Sequence, residues 1–151
     1  MYKLIENTLE KHGYIHYEIS NYAKEGYESK HNINYWLNDE YYGFGLGASG
    51  YKAGVRYSNT KNLSEYINHK YRKEETILSF KDRTDNEIML GFRLLKGINV
   101  DTFYEKYNKN IQDLYKVQDL IDQKILIYKG GYLFIHPDYI YTMNEILTKL
   151  I

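Results

Sequence analysis

The sequence is notable first for what it lacks, beginning with cysteine. None of its 151 residues is a cysteine, which excludes disulfide bonds, cysteine-ligated zinc and any iron–sulfur cluster ligated by this chain. No apolar run approaches the roughly 20 residues that cross a bilayer, and polar residues interrupt the N-terminal stretch, which does not have the pattern of a signal peptide. These absences fit a cytoplasmic protein without a transmembrane segment.

An excess of charge of one sign is also absent. The 20 lysines and arginines equal the 20 aspartates and glutamates, so the formal net charge is zero. Domains dedicated to nucleic acids usually carry a basic excess. We therefore expect no nucleic-acid partner.

The first half of the chain begins with the pattern of an α/β unit, in which a helix, a glycine and a strand follow one another. The predicted elements are a helix over residues 2–12 ending at Gly13, a strand over 14–19, a polar loop over 20–32, a strand over 41–48, a turn at 52–54 with a returning strand, and a helix over 62–72 capped by Asn62.

The second half has the pattern of a winged helix, in which three helices precede a hairpin. The predicted elements are a helix opened by the capping box Thr84 to Glu87, a helix capped by Asn99, a helix over 111–123, a hairpin turning at Gly130 and Gly131, and a last helix begun by Pro137, the only proline. We expect an α+β fold with a domain boundary near residue 75, between residues 1–75 and 76–151.

A winged helix commonly places its third helix in the major groove of DNA. Here the acidic residues Asp113, Asp119 and Asp122 outnumber Lys116 and Lys124, a poor balance against phosphate. A winged-helix module that binds a protein or nucleic acid is nevertheless the alternative function.

Two long runs resemble the oxygen-independent coproporphyrinogen III oxidase-like family of radical SAM proteins, most closely its HemW haem-chaperone branch. The runs are YEISNYAKEGYESKHNINYWLNDEYYGFGLGASGYKAGVRYSN and EIMLGFRLLKGINVDTFYEKY. Family members are longer and begin with a partial α/β barrel, whose cysteines hold a [4Fe–4S] cluster that reduces S-adenosylmethionine. The resemblance implies a C-terminal fragment, with the last strands and helices of a truncated barrel before the winged-helix-like domain.

The resemblance also implies what the chain handles. The full-length protein would be a haem chaperone or an anaerobic oxidase that decarboxylates coproporphyrinogen III. Its expected partners are a tetrapyrrole, the missing N-terminal barrel and a haem-accepting protein. Without cluster ligands the fragment is expected to be inactive alone, so the sequence does not decide whether the protein is an enzyme.

The pattern H-N-x-x-Y-W at residues 31–36 is associated with haem binding in the HemW branch. His31 is the candidate iron ligand, because a neutral imidazole with one free nitrogen can bind haem iron. Asn32 would orient the loop, and Tyr35 and Trp36 would lie against the ring. The alternative is a surface histidine beside two core aromatic residues.

The resemblance points to two further sites, each with a structural alternative. Gly43, Gly45, Gly47 and Ala48 match the glycine-rich strand near the family's S-adenosylmethionine and substrate pocket, or serve close packing. Arg56 matches a family arginine that would pair with a propionate, or forms an ordinary ion pair.

Glu18 and Asn21 lie at the end of the strand predicted over 14–19, where barrel active sites gather. Glu18 would orient a cofactor group or would be a buried structural acid. The sequence leaves both interpretations open.

Overall fold

The computed structural model describes residues 1–151, which divide into two compact units. The first unit contains residues 1–37 and 87–151, and the second contains residues 38–86. No helix combines the length and the apolar composition needed to span a membrane.

The first unit contains most of the helices. Its elements are α1 (Tyr2–Lys11), β1 (Ile15–Glu18), β2 (Asn21–Ala23), α2 (Lys30–Trp36), the end of α4 (Phe80–Gly91), β6 (Ile98–Asn99), α5 (Val100–Tyr107), α6 (Ile111–Leu114), α7 (Val117–Asp122), β7 (Leu126–Lys129), β8 (Tyr132–Ile135), a 3₁₀ helix (Pro137–Thr142) and α8 (Met143–Leu150). Strands β1 and β2 form a two-stranded sheet, and a second sheet has the order β6-β8-β7.

The second unit is built around one three-stranded sheet. Its elements are β3 (Ser49–Lys52), β4 (Val55–Asn59), α3 (Leu63–Ile67), β5 (Arg72–Ile77) and the first turns of α4. The sheet has the order β3-β4-β5, and each neighbouring pair is antiparallel.

The main hydrophobic core lies in the first unit. Ile88 of α4, Phe103 of α5 and Leu126 of β7 are at most 1% exposed, and they belong to a cluster that also includes apolar residues of α6–α8 and β8. Burial of a large apolar side chain contributes about 1.5–3 kcal/mol, so this cluster is the main source of the unit's stability.

Several local predictions are confirmed. Asn62 caps α3 by accepting a hydrogen bond from the Ser64 backbone N–H at 2.9 Å, and Asn99 caps α5 through Thr102 at 2.8 Å. The β7–β8 hairpin turns at Gly130 and Gly131, whose φ angles of +60° and +79° suit glycine. Helix α1 also ends where expected, just before Gly13.

The predicted capping box from Thr84 to Glu87 is wrong, because α4 begins one turn earlier. Ser79 and Asp82 form the reciprocal pair instead: the Asp82 backbone N–H donates to Ser79 Oγ at 3.1 Å, and the Ser79 N–H donates to Asp82 Oδ2 at 3.0 Å. Glu87 is buried and has other partners. A pattern of the same type one turn upstream therefore determines the helix start.

Three other element predictions are wrong. The helix expected over 111–123 is interrupted at Tyr115, which is buried in an extended conformation between α6 and α7. The helix expected over 62–72 stops at Ile67, and the charged run that follows forms β5. The element begun by Pro137 is first a 3₁₀ helix and becomes α-helical only from Met143.

Candidate functional site

The residues of the H-N-x-x-Y-W pattern lie on a helix, so the prediction of a polar loop through Asn32 is wrong. Helix α2 begins after Ser29, whose Oγ accepts a hydrogen bond from the Asn32 backbone N–H at 3.3 Å. The Ser29 backbone N–H donates in turn to the Tyr17 hydroxyl of β1 at 3.3 Å. A serine directly before the helix was the sequence signal for this start.

His31 and Tyr35 form a pair on one face of α2. They are four residues apart, and their rings meet edge to face with centroids 4.7 Å apart and planes at 85°. His31 is exposed, whereas Tyr35 is half-buried. Neither ring nitrogen of His31 is engaged by a hydrogen bond or an ion pair, so the imidazole is available to an external ligand.

Trp36 lies on another side of α2. Five residues of helix rotate a side chain by about 140°, which separates Trp36 from His31. The Trp36 ring instead contacts Arg93, whose guanidinium carbon lies 5.2 Å from the ring centroid. The Trp36 Nε1 is buried and has no hydrogen-bond partner. The structure therefore brings His31 and Tyr35 together and does not add Trp36 to that pair.

The C-terminal end of α2 is held by α5. Lys106 Nζ donates to the Leu37 carbonyl oxygen at 2.7 Å and contacts Glu87 Oε1 at 3.1 Å. Glu87 also accepts a hydrogen bond from the Tyr107 hydroxyl at 2.9 Å. A cation is favourable at a helix C-terminus. The sequence did not reveal this anchor, because Lys106 and Leu37 are 69 positions apart.

The glycine-rich segment belongs to the second unit and is not a strand. Only Tyr41 forms a bridge, to Tyr51, and the residues after it form an irregular loop. Gly45 and Gly47 have φ angles of +102° and +69°, which a continuous strand does not allow. The predicted side-chain-free face of a strand is therefore wrong.

The alternative interpretation, close packing, accounts for Gly43. A Cβ atom at Gly43 would overlap the backbone carbonyl of Ser49. The loop is also held by Asn59, whose Nδ2 donates to the carbonyl oxygens of Gly43 at 3.2 Å and Gly45 at 2.9 Å. Asn59 is a buried residue that sequence reasoning missed. The Asn59 backbone N–H donates to the Ala48 carbonyl at 2.8 Å.

Arg56 lies in the middle of β4, opposite Tyr51 of β3 and Thr76 of β5. Its guanidinium carbon is 5.7 Å from the Tyr51 ring centroid, and its Nε is buried without a hydrogen-bond partner. The ordinary ion pair that was the alternative for Arg56 is not formed.

Of the two interpretations of Glu18, the structure agrees with the buried structural acid. It is fully buried and accepts hydrogen bonds from the Asn21 side chain and, at 3.2 Å, from the Ser20 backbone N–H. These contacts fix the tight turn between β1 and β2. Glu18 and Asn21 thus stabilise this turn by a hydrogen bond to each other.

Comparison with known proteins shows similarity to HemN proteins in both sequence and fold. Residues 78–137 match the HemN C-terminal domain family. The fold matches the solved structure described as "Coproporphyrinogen III oxidase (HemN) from Escherichia coli is a Radical SAM enzyme", with a TM-score of 0.68, 9% identity, and coverage of 97% of this chain and 39% of that chain. At 9% identity, this match shows similarity of the fold alone.

Curated relatives then show which proteins the sequence resembles in its C-terminal-domain and preceding regions. The chain is 44% identical over 131 residues to heme chaperone HemW of Lactococcus lactis and 36% identical over 134 residues to that of Bacillus subtilis; each match covers 83% of this chain and 35% of the relative. The chain is similar to the HemN and HemW proteins over most of its length. It spans about a third of the length of the curated relatives it matches.

Proposed function

We propose that this chain is the haem-contacting portion of a HemW-type protein that carries haem to an accepting protein. The relatives named heme chaperone HemW support the haem-related function. The observation that carries the proposal is the exposed, unengaged imidazole of His31 on a helix anchored at both ends.

The residues of α2 fit haem as a cargo. Haem iron accepts a neutral imidazole nitrogen as an axial ligand, and His31 has both ring nitrogens available. Tyr35 would pack its ring against the imidazole and restrict its orientation, as a neighbouring group commonly does for a metal-bound histidine. Asn32 would stabilise the start of α2 through its backbone N–H, which donates to Ser29 Oγ. Trp36 would support the helix from its other side.

We also propose roles for Arg56 and for the glycine-rich segment of the second unit. Arg56 would pair its guanidinium with a propionate, since its buried Nε lacks an acceptor. The segment that contains Gly43, Gly45, Gly47 and Ala48 would border the S-adenosylmethionine or tetrapyrrole pocket in the full-length protein.

We further propose the larger architecture that the family suggests. Residues 1–75 would be the end of a radical SAM barrel, and residues 76–151 a winged-helix-like domain; the HemN C-terminal domain match over residues 78–137 supports the start of the second part. The [4Fe–4S] cluster that acts on S-adenosylmethionine would bind in a part of the longer relatives that this chain does not match, because this chain has no cysteine. A cytoplasmic location accompanies this proposal. Oxidative decarboxylation of coproporphyrinogen III is the alternative activity of the whole protein.

A haem titration tests the role of His31. Haem added to the 151-residue chain is expected to give a saturable Soret shift, and His31→Ala is expected to remove the shift because the iron loses its ligand. His12→Ala is the matched control, since His12 is also an exposed helix-terminal histidine but hydrogen-bonds the Thr8 carbonyl at 2.7 Å.

The two variants separate the possible results. An unchanged Soret shift in His31→Ala, or an equal loss in His12→Ala, would remove His31 from the proposed role. Circular dichroism of each variant verifies that α2 and the rest of the fold are retained.

A further inference from the structure

A cavity in the first unit lies apart from the exposed His31 face. It has a volume of about 380 Å³ and is bordered by α1, the β1–β2 turn, the segment after α4, and the start of α8. Its walls combine apolar side chains, including Ile5 and Met143, with the polar groups of Arg93, Tyr22 and Tyr141. Such a mixture of apolar walls and a few polar groups is typical of a small-molecule site.

Arg93 is the charged group of this cavity. It is half-buried, and one side of its guanidinium lies over the Trp36 ring. No carboxylate lies within ion-pair distance of Arg93, and its side chain donates no hydrogen bond within the chain. A guanidinium has five N–H donors, and a partly buried cation without an anion is costly. An anionic ligand in the cavity would relieve that cost.

A pair of tyrosine hydroxyls adds one further donor. Burial and the hydrogen bond to Tyr141 raise the pKa of Tyr22 to about 12, with smaller contributions from the carboxylates of Glu6 and Glu10. Tyr22 therefore keeps its proton at neutral pH and donates a hydrogen bond to the Tyr141 oxygen, which leaves the Tyr141 O–H to donate into the cavity. Tyr2 stacks on Tyr141 with ring centroids 4.2 Å apart, which forms a flat aromatic wall beside the polar groups.

We propose that this cavity binds a carboxylate attached to an apolar body, with Arg93 pairing with the carboxylate and Tyr141 donating a hydrogen bond to it. The planar guanidinium matches a carboxylate in two parallel hydrogen bonds, while the tyrosine wall receives the apolar body. This site goes beyond the proposed haem contact of His31 and does not depend on it.

The test uses 3-phenylpropionate as the probe and its neutral amide, 3-phenylpropanamide, as the matched control. Trp36 is the only tryptophan, so a proton–nitrogen NMR spectrum contains one indole signal, and this signal reports on the ring beside Arg93. The acid is expected to shift the Trp36 signal saturably, and the amide is expected to bind at least about tenfold more weakly because it has no charge. Equal binding of the two compounds, or no saturable shift with the acid, would overturn the proposal.

Variants test the named residues. Arg93→Gln is expected to weaken binding of the acid at least about tenfold, and Tyr141→Phe, which keeps the ring stacked on Tyr2, about three- to tenfold. Lys96→Gln is the control, because it removes a nearby cation that lies over Tyr132 rather than in the cavity. Unchanged affinity in Arg93→Gln would overturn the proposal, and thermal unfolding verifies that each variant is folded.

Competition identifies the source of the carboxylate. If protoporphyrin IX displaces 3-phenylpropionate and protoporphyrin IX dimethyl ester does not, the site receives a tetrapyrrole propionate. If neither porphyrin competes, the site takes a smaller acid. Because both porphyrins lack iron, a negative result for haem ligation by His31 leaves this measurement unaffected.

Discussion

At the scale of single residues, Glu87 has the most consequential contacts in the first unit. Its carboxylate is buried and joins Lys106 and the Tyr107 hydroxyl, while Lys106 also holds the C-terminal end of α2. One side chain thus links the core helix α4 to the helix that carries His31.

Removing Glu87 should therefore be costly. Glu87→Ala removes the buried carboxylate that Lys106 and Tyr107 contact, and we expect a loss of about 2–3 kcal/mol in the free energy of unfolding, reduced from the value of a fully buried pair because Lys106 is partly exposed. Urea denaturation measures the loss. Lys81→Ala, which removes an exposed lysine from its pair with Asp85, should cost less than about 1 kcal/mol. Equal effects of the two substitutions would contradict the assigned role of Glu87.

Asp82 gives the second unit a predictable response to acid. Hydrogen bonds from the Ser79 hydroxyl and backbone N–H hold the pKa of Asp82 below its usual value of 3.8. A lowered pKa means that this contribution to stability is present above pH 3.8 and is lost as the pH falls through the lower folded value. Ser79→Ala should raise the pKa of Asp82 toward 3.8, as followed by NMR titration. A pKa that does not rise would mean that the hydroxyl is not the main cause.

The residues that sequence reasoning identified and those that it missed differ in the range of their contacts. Asn62 and Asn99 were predicted because a cap acts within three positions. Asn59 and Lys106 were missed because their acceptors lie 14 to 69 positions away. No local pattern encodes such partners.

At the scale of elements, the glycine-rich loop shows why alternation alone misled the prediction. Glycine at every second position resembles one face of a strand, but positive φ angles at Gly45 and Gly47 break the extended backbone. Hairpin turns were predictable because adjacent glycines act locally. The interruption at Tyr115 was not, since it depends on burial of a side chain in a core assembled from distant elements.

The packing role of Gly43 has a direct test. Gly43→Ala places a Cβ atom against the backbone carbonyl of Ser49, which cannot move aside as a flexible side chain could. We expect a loss of about 1–3 kcal/mol in the free energy of unfolding. Ser49→Ala, in the same segment and exposed, should change stability by less than about 0.5 kcal/mol. A neutral Gly43→Ala would contradict close packing as the reason for glycine.

At the scale of the whole molecule, the sequence predicted the α+β character and the similarity to HemN and HemW proteins, while the three-dimensional arrangement depended on contacts between distant segments. Helix α2 illustrates both what the sequence predicted and what depended on distant contacts. Its residues were identified as the candidate site from a local pattern, but the exposure of His31, its pairing with Tyr35 and the separate placement of Trp36 follow from how α2 is anchored.

The central claim, that His31 is the residue that ligates haem iron, is tested most directly by NMR of the histidine side chains. The chain contains five histidines, and gallium(III) protoporphyrin IX is a diamagnetic analogue of haem. With nitrogen-15 histidine, we predict that the His31 imidazole signal alone moves to the position of a metal-bound nitrogen. Coordination at another histidine, or binding of the analogue with the His31 signal unchanged, would contradict the account.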